Sequence, residues 1–344
     1  MKRTFFLIFL VLITIVCSAQ KHRALIVGVA NYPEDSGWKT IHSDNDVSLL
    51  CSLLKKNDYL VDSLVDGCAT RKNIINALDS LENETENGDT IVISFSCHGQ
   101  QMITDGKEEM DSLDEALIPF DAKLKYSDYY KGENHITDNF LSNSIAKIRK
   151  KAGNYGLVLV LLDACHSGDS FKGSNDKVNK FYRGVSQVFG ADTLADTLNI
   201  LLSKRQNKIE IVDIESNNNI SNVLYIGACQ SYQINAEMKA EDGKWYGSLS
   251  YAFYEAFKKN KFHDIRLLCV EIRNNVKKYN KASRQCPEFA SSLDLSGIFN
   301  NPESNPPASL QNENISYVHL YICIFFLIVL VTTILVLYGR RNKR

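Results

Sequence analysis

The stretch Leu157–Gly168, LVLVLLDACHSG, constrains this chain more than any other. Six consecutive apolar residues, Leu157 to Leu162, leave no polar face, so the run reads as a strand buried on both sides within a parallel sheet. It passes directly into Asp163, Ala164, Cys165, His166, Ser167 and Gly168. In open α/β sheets, chemistry gathers just beyond the carboxyl ends of the strands. A second stretch, Asp89–Gly99 (DTIVISFSCHG), has the same build and ends on His98 and Gly99. Two neighbouring parallel strands that finish this way bring a thiol and an imidazole to one sheet edge. That is a cysteine nucleophile beside its base.

The rest of the chain supplies a sheet for those strands. Arg23–Ala30 reads as a first buried strand, Tyr59–Val65 as a second and Asp89–Ser96 as a third. Between them, Ser43–Lys56 carries Val47, Leu50, Leu53 and Leu54 at helical spacing, and Thr70–Leu81 carries Ile74, Ala77, Leu78 and Leu81 behind a capping threonine. This β-α-β-α-β rhythm predicts a right-handed parallel α/β sheet with covering helices. Gln100–Tyr130 reads as an acidic loop, and Thr137–Lys150 as a helix before the fourth strand. Asp169–Ser221 then interrupts the rhythm with a long polar insertion holding an alternating stretch at Ile209–Ile214. Asn222–Ala228 is a fifth strand, Gly247–Lys258 and Asp264–Lys278 are helices, and Pro287–Phe289 begins an edge strand.

Both ends are read apart from the fold. Residues 1–19 place Lys2 and Arg3 before an apolar run and a Cys17-Ser18-Ala19 cleavage pattern, so they read as a secretory signal peptide. Residues 317–338 hold no charged side chain and would span roughly 33 Å as a helix. They are expected to form one transmembrane helix, with the Pro/Asn-rich linker 299–316 before it and the basic cytoplasmic tail 339–344 behind it. The expectation is therefore a single-pass membrane protein whose domain, residues 20–298, lies on the exported side, extracytoplasmic or periplasmic in a bacterium. The chain's net charge of −1 conceals a body with 33 basic residues against 40 acidic ones once the two ends are set aside. An acidic body argues against nucleic acid as a partner and suits a basic substrate. Seven cysteines remain between the ends, an odd number, and Cys165 is expected to be a free thiol.

His98-Gly99 after one buried strand, and Asp163-Ala164-Cys165-His166-Ser167-Gly168 after the next, resemble the caspase-like cysteine peptidases. The metacaspase branch, with D-[SA]-C-H-S-G around its nucleophile, is the nearest pattern. Ala24–Tyr32 (ALIVGVANY), Asn45-Asp46, the Asp105–Pro119 loop and Ala228-Cys229-Gln230 also look like that family, so the likeness runs over about residues 23–295. It implies a three-layer α/β/α fold with a mostly parallel central sheet. Here Cys97 stands where the family usually has glycine, and Lys172 where calcium-dependent members place an aspartate. Asp105, Glu108, Glu109, Asp111, Asp114 and Glu115 are hard oxygen donors suited to Ca²⁺, or simply a solvated acidic loop. No cofactor is required by this reading, and no metal ligands are assigned. Adjacent Cys-His pairs lack the gapped spacing of a zinc site.

The resemblance assigns Cys165 as the attacking thiolate and His98 as base and then acid toward the leaving amine. It implies that the backbone N–H groups of Gly99 and Cys165 receive the oxyanion. His166, adjacent to the nucleophile, points the other way and is read as structural or as a subsite wall. Asp163 leaves its strand two residues before Cys165 and so faces the same pocket. By resemblance Asp46 joins it and Ser96 lines the floor. Two carboxylates there would bind Arg or Lys before the cut. The expected function is a cysteine endopeptidase acting on basic sites in proteins or peptides. The alternatives are a legumain- or transamidase-like processing enzyme, and a non-catalytic interaction module. Lys172, Lys180, Arg183, Lys204 and Arg205 in the insertion offer sites for self-cleavage, with Arg205 the expected one.

Overall fold

The computed structural model describes residues 21–103, 113–165, 181–185, 187–191, 211–214, 219–230, 233–280, 285–296 and 298. Its centre is a seven-stranded sheet with the order β2-β1-β3-β7-β9-β12-β8. These strands are β1 (His22–Gly28), β2 (Tyr59–Val65), β3 (Thr90–Ser96), β7 (Leu157–Asp163), β8 (Ile211–Asp213), β9 (Asn222–Gly227) and β12 (Glu288–Ser291). The first five in spatial order are mutually parallel. β12 runs antiparallel to β9, and β8 lies parallel beyond it.

Alternation along the buried strands builds two cores. Ala24, Ile26, Val92, Leu159 and Leu161 face α1 (Ser43–Lys55), α4 (Ser248–Asn260) and α5 (Ile265–Tyr279). Leu25, Val27, Ile93, Val158 and Val160 face α2 (Arg71–Glu84) and α3 (Asp138–Ala152). Three layers result because each helix has one apolar stripe to bury and the sheet has two apolar faces. Helix starts follow local chemistry: Thr70, Thr137 and Asp264 each accept a backbone N–H from the first turn of α2, α3 and α5.

Four expectations need correction. The transmembrane helix expected over residues 317–338 lies outside the described residues, and among those described no helix is long and apolar enough to cross a membrane. The longest, α3 and α5, have 15 residues and reach about 22 Å, against a hydrocarbon core of about 30 Å. The strand near Pro287–Phe289 is not at the edge, because β8 from the insertion covers it. The stretch Gln100–Tyr130 is not simply a loop: β4 (Gly99–Ile103) pairs with β5 (Leu113–Leu117), which pairs with β6 (Ile136–Thr137). A hairpin of β10 (Glu237–Lys239) and β11 (Trp245–Gly247) precedes α4, where no strand is expected. Both small sheets lack the long apolar runs that mark a buried strand. The signal peptide at 1–19, the linker at 299–316, the tail at 339–344, His166, Lys172 and Arg205 also lie outside the described residues.

Candidate active site

Register places the two central strands in step, with Ser96 of β3 paired to Asp163 of β7. His98 and Cys165 each follow two residues later, so both emerge at the same end of adjacent strands. Cys165 is buried, and its S–H donates to the Gln233 carbonyl at 3.0 Å. The Cys229 thiol donates to the Cys165 sulfur at 3.3 Å, and burial together with that contact raises the Cys229 pKa. The seven cysteines of the described residues are free thiols.

His98 is held by three groups. Its ring packs against both Trp38 and Tyr32, with centroids 5.0 and 5.3 Å away, and those two rings also touch each other at 6.0 Å. Its Nε2 meets the Lys39 carbonyl at 2.8 Å, which makes that nitrogen the protonated one. Nδ1 is then left as a buried acceptor with no hydrogen-bond partner. An unclaimed lone pair leaves that nitrogen open to accept a proton. Burial lowers the His98 pKa to about 4, so the ring is neutral near pH 7. The sequence gives no sign of this orienting group, because it is a main-chain carbonyl that any residue could provide.

Asp46, Ser96 and Asp163, the three expected pocket residues, converge on one side chain, Arg183 of the insertion. Arg183 Nη2 donates to Asp46 Oδ2 at 2.6 Å and to Glu237 Oε1 at 2.9 Å. Nη1 contacts Ser96 Oγ and the Asp163 backbone carbonyl, with Asp163 Oδ1 3.5 Å away. Nε reaches Glu237 Oε1 at 3.2 Å. Every one of these side chains is fully enclosed. Burial works against the guanidinium charge, yet Asp46, Asp163 and Glu237 outweigh it and raise the Arg183 pKa. Burial raises the Asp46 carboxyl to about 7 even with Arg183 and Ser96 pulling it down. Glu237 ends below its ordinary value, since Arg183 and His42 overcome its burial.

The carboxylates are fixed from behind. Asp46 Oδ1 accepts from the Gly247 N–H at 2.9 Å. Asp163 Oδ2 accepts from both the N–H and the hydroxyl of Ser250 at 2.7 Å, and Oδ1 from Asn235 Nδ2 at 2.8 Å. Gly247 and Ser250 are at the N-terminus of α4, so first-turn amides and the positive helix end stabilise these charges. Gly247 must be glycine for space: a Cβ there would touch Asp163 Oδ2 and the Arg183 guanidinium.

The main chain of Arg183 completes the arrangement. Its carbonyl oxygen accepts from the Cys165 N–H at 2.8 Å, and its own N–H donates to the Asn235 carbonyl at 3.1 Å. Gly184 packs so closely on Cys165 that a Cβ would collide with the Cys165 carbonyl. A basic side chain thus fills the acidic pocket, with its carbonyl on a backbone donor of the cysteine and a residue without a side chain next in line. Gly99, the other expected donor, opens β4 directly after His98. Glu237, Gly247 and Arg183 are the pocket residues that sequence reasoning did not single out. Arg183 is legible only as one basic residue among seven in the insertion. Of the acidic-loop residues, Asp105, Glu108, Glu109 and Asp111 lie outside the described residues.

Residues 21–296 match the family model described as Caspase domain. Among curated proteins, the chain is 32% identical over 100 residues to Metacaspase-2 of Arabidopsis thaliana, covering 29% of this chain and 21% of that one. It is 25% identical over 282 residues to Metacaspase-1 of Candida albicans, covering 71% of this chain and 59% of that one. Metacaspase-1 of Schizosaccharomyces pombe is 25% identical over 280 residues, 70% of this chain and 60% of that one. The chain thus spans about a fifth of the first relative's length and about three fifths of the other two. A solved structure of a Geobacter sulfurreducens protein aligns with a TM-score of 0.52 at 21% identity, covering 79% of this chain and 93% of that one. That last likeness is one of fold.

Proposed function

The chain is a metacaspase-like member of the caspase-domain family, and from that premise we propose that it is a cysteine endopeptidase cutting after Arg or Lys, whose first substrate is its own Arg183–Gly184 bond. The observation that carries the proposal is Arg183 itself. A structural ion pair would need the guanidinium among the carboxylates, but not its carbonyl on the Cys165 amide and a glycine on the far side.

In the proposed mechanism, His98 Nδ1 takes the thiol proton and Cys165 Sγ attacks the Arg183 carbonyl carbon. The carbonyl oxygen becomes an oxyanion held by the Cys165 N–H, with the Gly99 N–H as its second donor. His98, now protonated, gives its proton to the Gly184 nitrogen as the C–N bond breaks, leaving a thioester. Water, deprotonated by His98, hydrolyses that thioester and regenerates the thiol. One oxyanion donor is typically worth about 3–4 kcal/mol of barrier. The Lys39 carbonyl holds the imidazole in the tautomer this sequence of steps needs. Until the bond is cut, Arg183 blocks the pocket, so self-cleavage would precede action on other chains. Export of the domain is proposed on residues 1–19 alone.

The test compares purified wild type with Cys165→Ala by intact-mass spectrometry. Wild type is expected to separate into fragments ending at Arg183 and beginning at Gly184, while the variant stays whole. Nicking of both, or of neither under any buffer with or without Ca²⁺, would remove the proposal.

A further inference from the structure

Arg183 does not enter the pocket alone. Residues Phe181 to Arg183 lie along residues 235–237 as an added antiparallel strand, with a bridge between Tyr182 and Ala236. The Arg183 N–H donates to the Asn235 carbonyl at 3.1 Å, and the Glu237 N–H donates to the Phe181 carbonyl at 2.9 Å. Main-chain pairing of this kind accepts any sequence, and side chains in alternate pockets then select one. Because strand side chains alternate, Phe181, two residues before Arg183, leaves on the same side as it.

The ring of Phe181 meets a built aromatic wall. Its centroid is 4.5 Å from that of His42 at an interplanar angle of 85°, and 5.2 Å from that of Trp245 at 71°. Both are edge-to-face contacts in the preferred range for aromatic pairs. His42 and Trp245 are themselves nearly parallel, 24° apart with centroids at 6.3 Å, so they form a continuous surface. That surface is anchored to the arginine pocket. The His42 N–H donates to Glu237 Oε1 at 2.8 Å and His42 Nδ1 lies 2.6 Å from Glu237 Oε2, so one carboxylate serves guanidinium and imidazole together. Asn45, in the first turn of α1, donates to the Trp245 carbonyl at 3.0 Å and ties the wall to the element that carries Asp46.

We infer that His42 and Trp245 form a second substrate subsite, which takes an aromatic side chain at the third position before the cut, so that the substrate class is peptides of the form aromatic–any–Arg. The inference rests on the proposed peptidase reading and narrows it. A half-buried phenylalanine with two aromatic partners is worth about a factor of ten over alanine. Tyr182, at the intervening position, leaves on the opposite side, away from this wall.

The experiment uses the self-cleaved full chain and two fluorogenic peptides, acetyl-Phe-Ser-Arg and acetyl-Ala-Ser-Arg amides of one fluorophore. The expected result is a kcat/KM about tenfold higher for the phenylalanine peptide, carried mostly by KM. In Trp245→Ala the Phe-to-Ala ratio should fall toward one, and in Trp245→Phe it should survive. Hydrolysis of both peptides by wild type with a ratio near one would overturn the subsite and leave the arginine-directed peptidase standing. Hydrolysis of neither would overturn the peptidase reading itself. A Trp245→Ala protein that slows on both peptides but keeps its ratio would show that the indole only supports the fold, and would also overturn the subsite.

Discussion

Replacing Arg183 with alanine separates a substrate pocket from a structural salt bridge. The guanidinium is completely enclosed among Asp46, Asp163 and Glu237. In a core that cannot relax, removing one partner of a buried pair strands the others and costs about 3–5 kcal/mol. A pocket made to be vacated behaves differently. Once Arg183 no longer holds residues 181–185 in place, water can reach the three carboxylates and the cost falls well below that range. The same empty pocket should then accept a free guanidinium or amidinium compound. Unfolding would be followed thermally and in urea for Arg183→Ala in a Cys165→Ala background, which excludes nicking. The expected outcome is a loss of less than about 2 kcal/mol, below the buried-pair range, with recovery on adding benzamidine or arginine amide. At a ligand concentration a hundred times Kd, binding adds about 2.7 kcal/mol. That corresponds to a Tm rise of roughly 5–10 °C at 2–4 °C per kcal/mol. A loss of 3–5 kcal/mol with no response to either ligand would mean that Arg183 is a structural ion, and the substrate reading would be refuted.

Three further outcomes follow from the same geometry. Asp46 sits at about 7 with burial raising it and the Arg183 guanidinium already pulling it down, so without that guanidinium it holds its proton to higher pH; capturing arginine then releases a proton, and affinity should increase as pH rises above about 7. Calorimetry in buffers of different ionisation enthalpy would count that proton, and a KM independent of pH over this range would contradict the assignment; His98, lowered to about 4, stays neutral throughout and cannot produce the effect. Gly247→Ala puts a methyl group against Asp163 and the guanidinium, so cleavage after Arg should drop by roughly a hundredfold or more while the circular-dichroism spectrum is kept; full activity would mean that arginine does not enter here. Thr137→Ala removes the hydroxyl that accepts the Phe140 N–H at the start of α3, and should cost about 1 kcal/mol in urea unfolding without changing the cleavage rate.

Much of the sheet could be read from residue order, because a strand buried on both faces has to be apolar at every position. Leu157–Leu162 meets that condition, Ile91–Phe95 meets it at every position but Ser94, and both are central strands. The cap at Thr70 was legible for an equally local reason. The antiparallel pairs β4–β5 and β10–β11 were not, since short, partly exposed strands leave polar and apolar residues mixed. Asp163 could be placed near Cys165 by counting along one strand. Glu237 could not, because it comes from a hairpin 74 positions later in the sequence and carries no motif. Arg183 is the sharper case: self-cleavage was expected at Arg205, yet the basic residue seated among the carboxylates is Arg183.

The amino-acid order alone determined that a thiol and an imidazole would stand at the ends of adjacent parallel strands, since hydrophobic runs and strand period act over a few residues. Only the tertiary structure decided what surrounds them: the carbonyl that orients His98, the helix end that supports Asp46 and Asp163, and the arginine that occupies their pocket. Each of these depends on a contact between segments 59 to 201 residues apart. Such contacts are selected by the packing of the whole sheet and its helices, which no local pattern encodes.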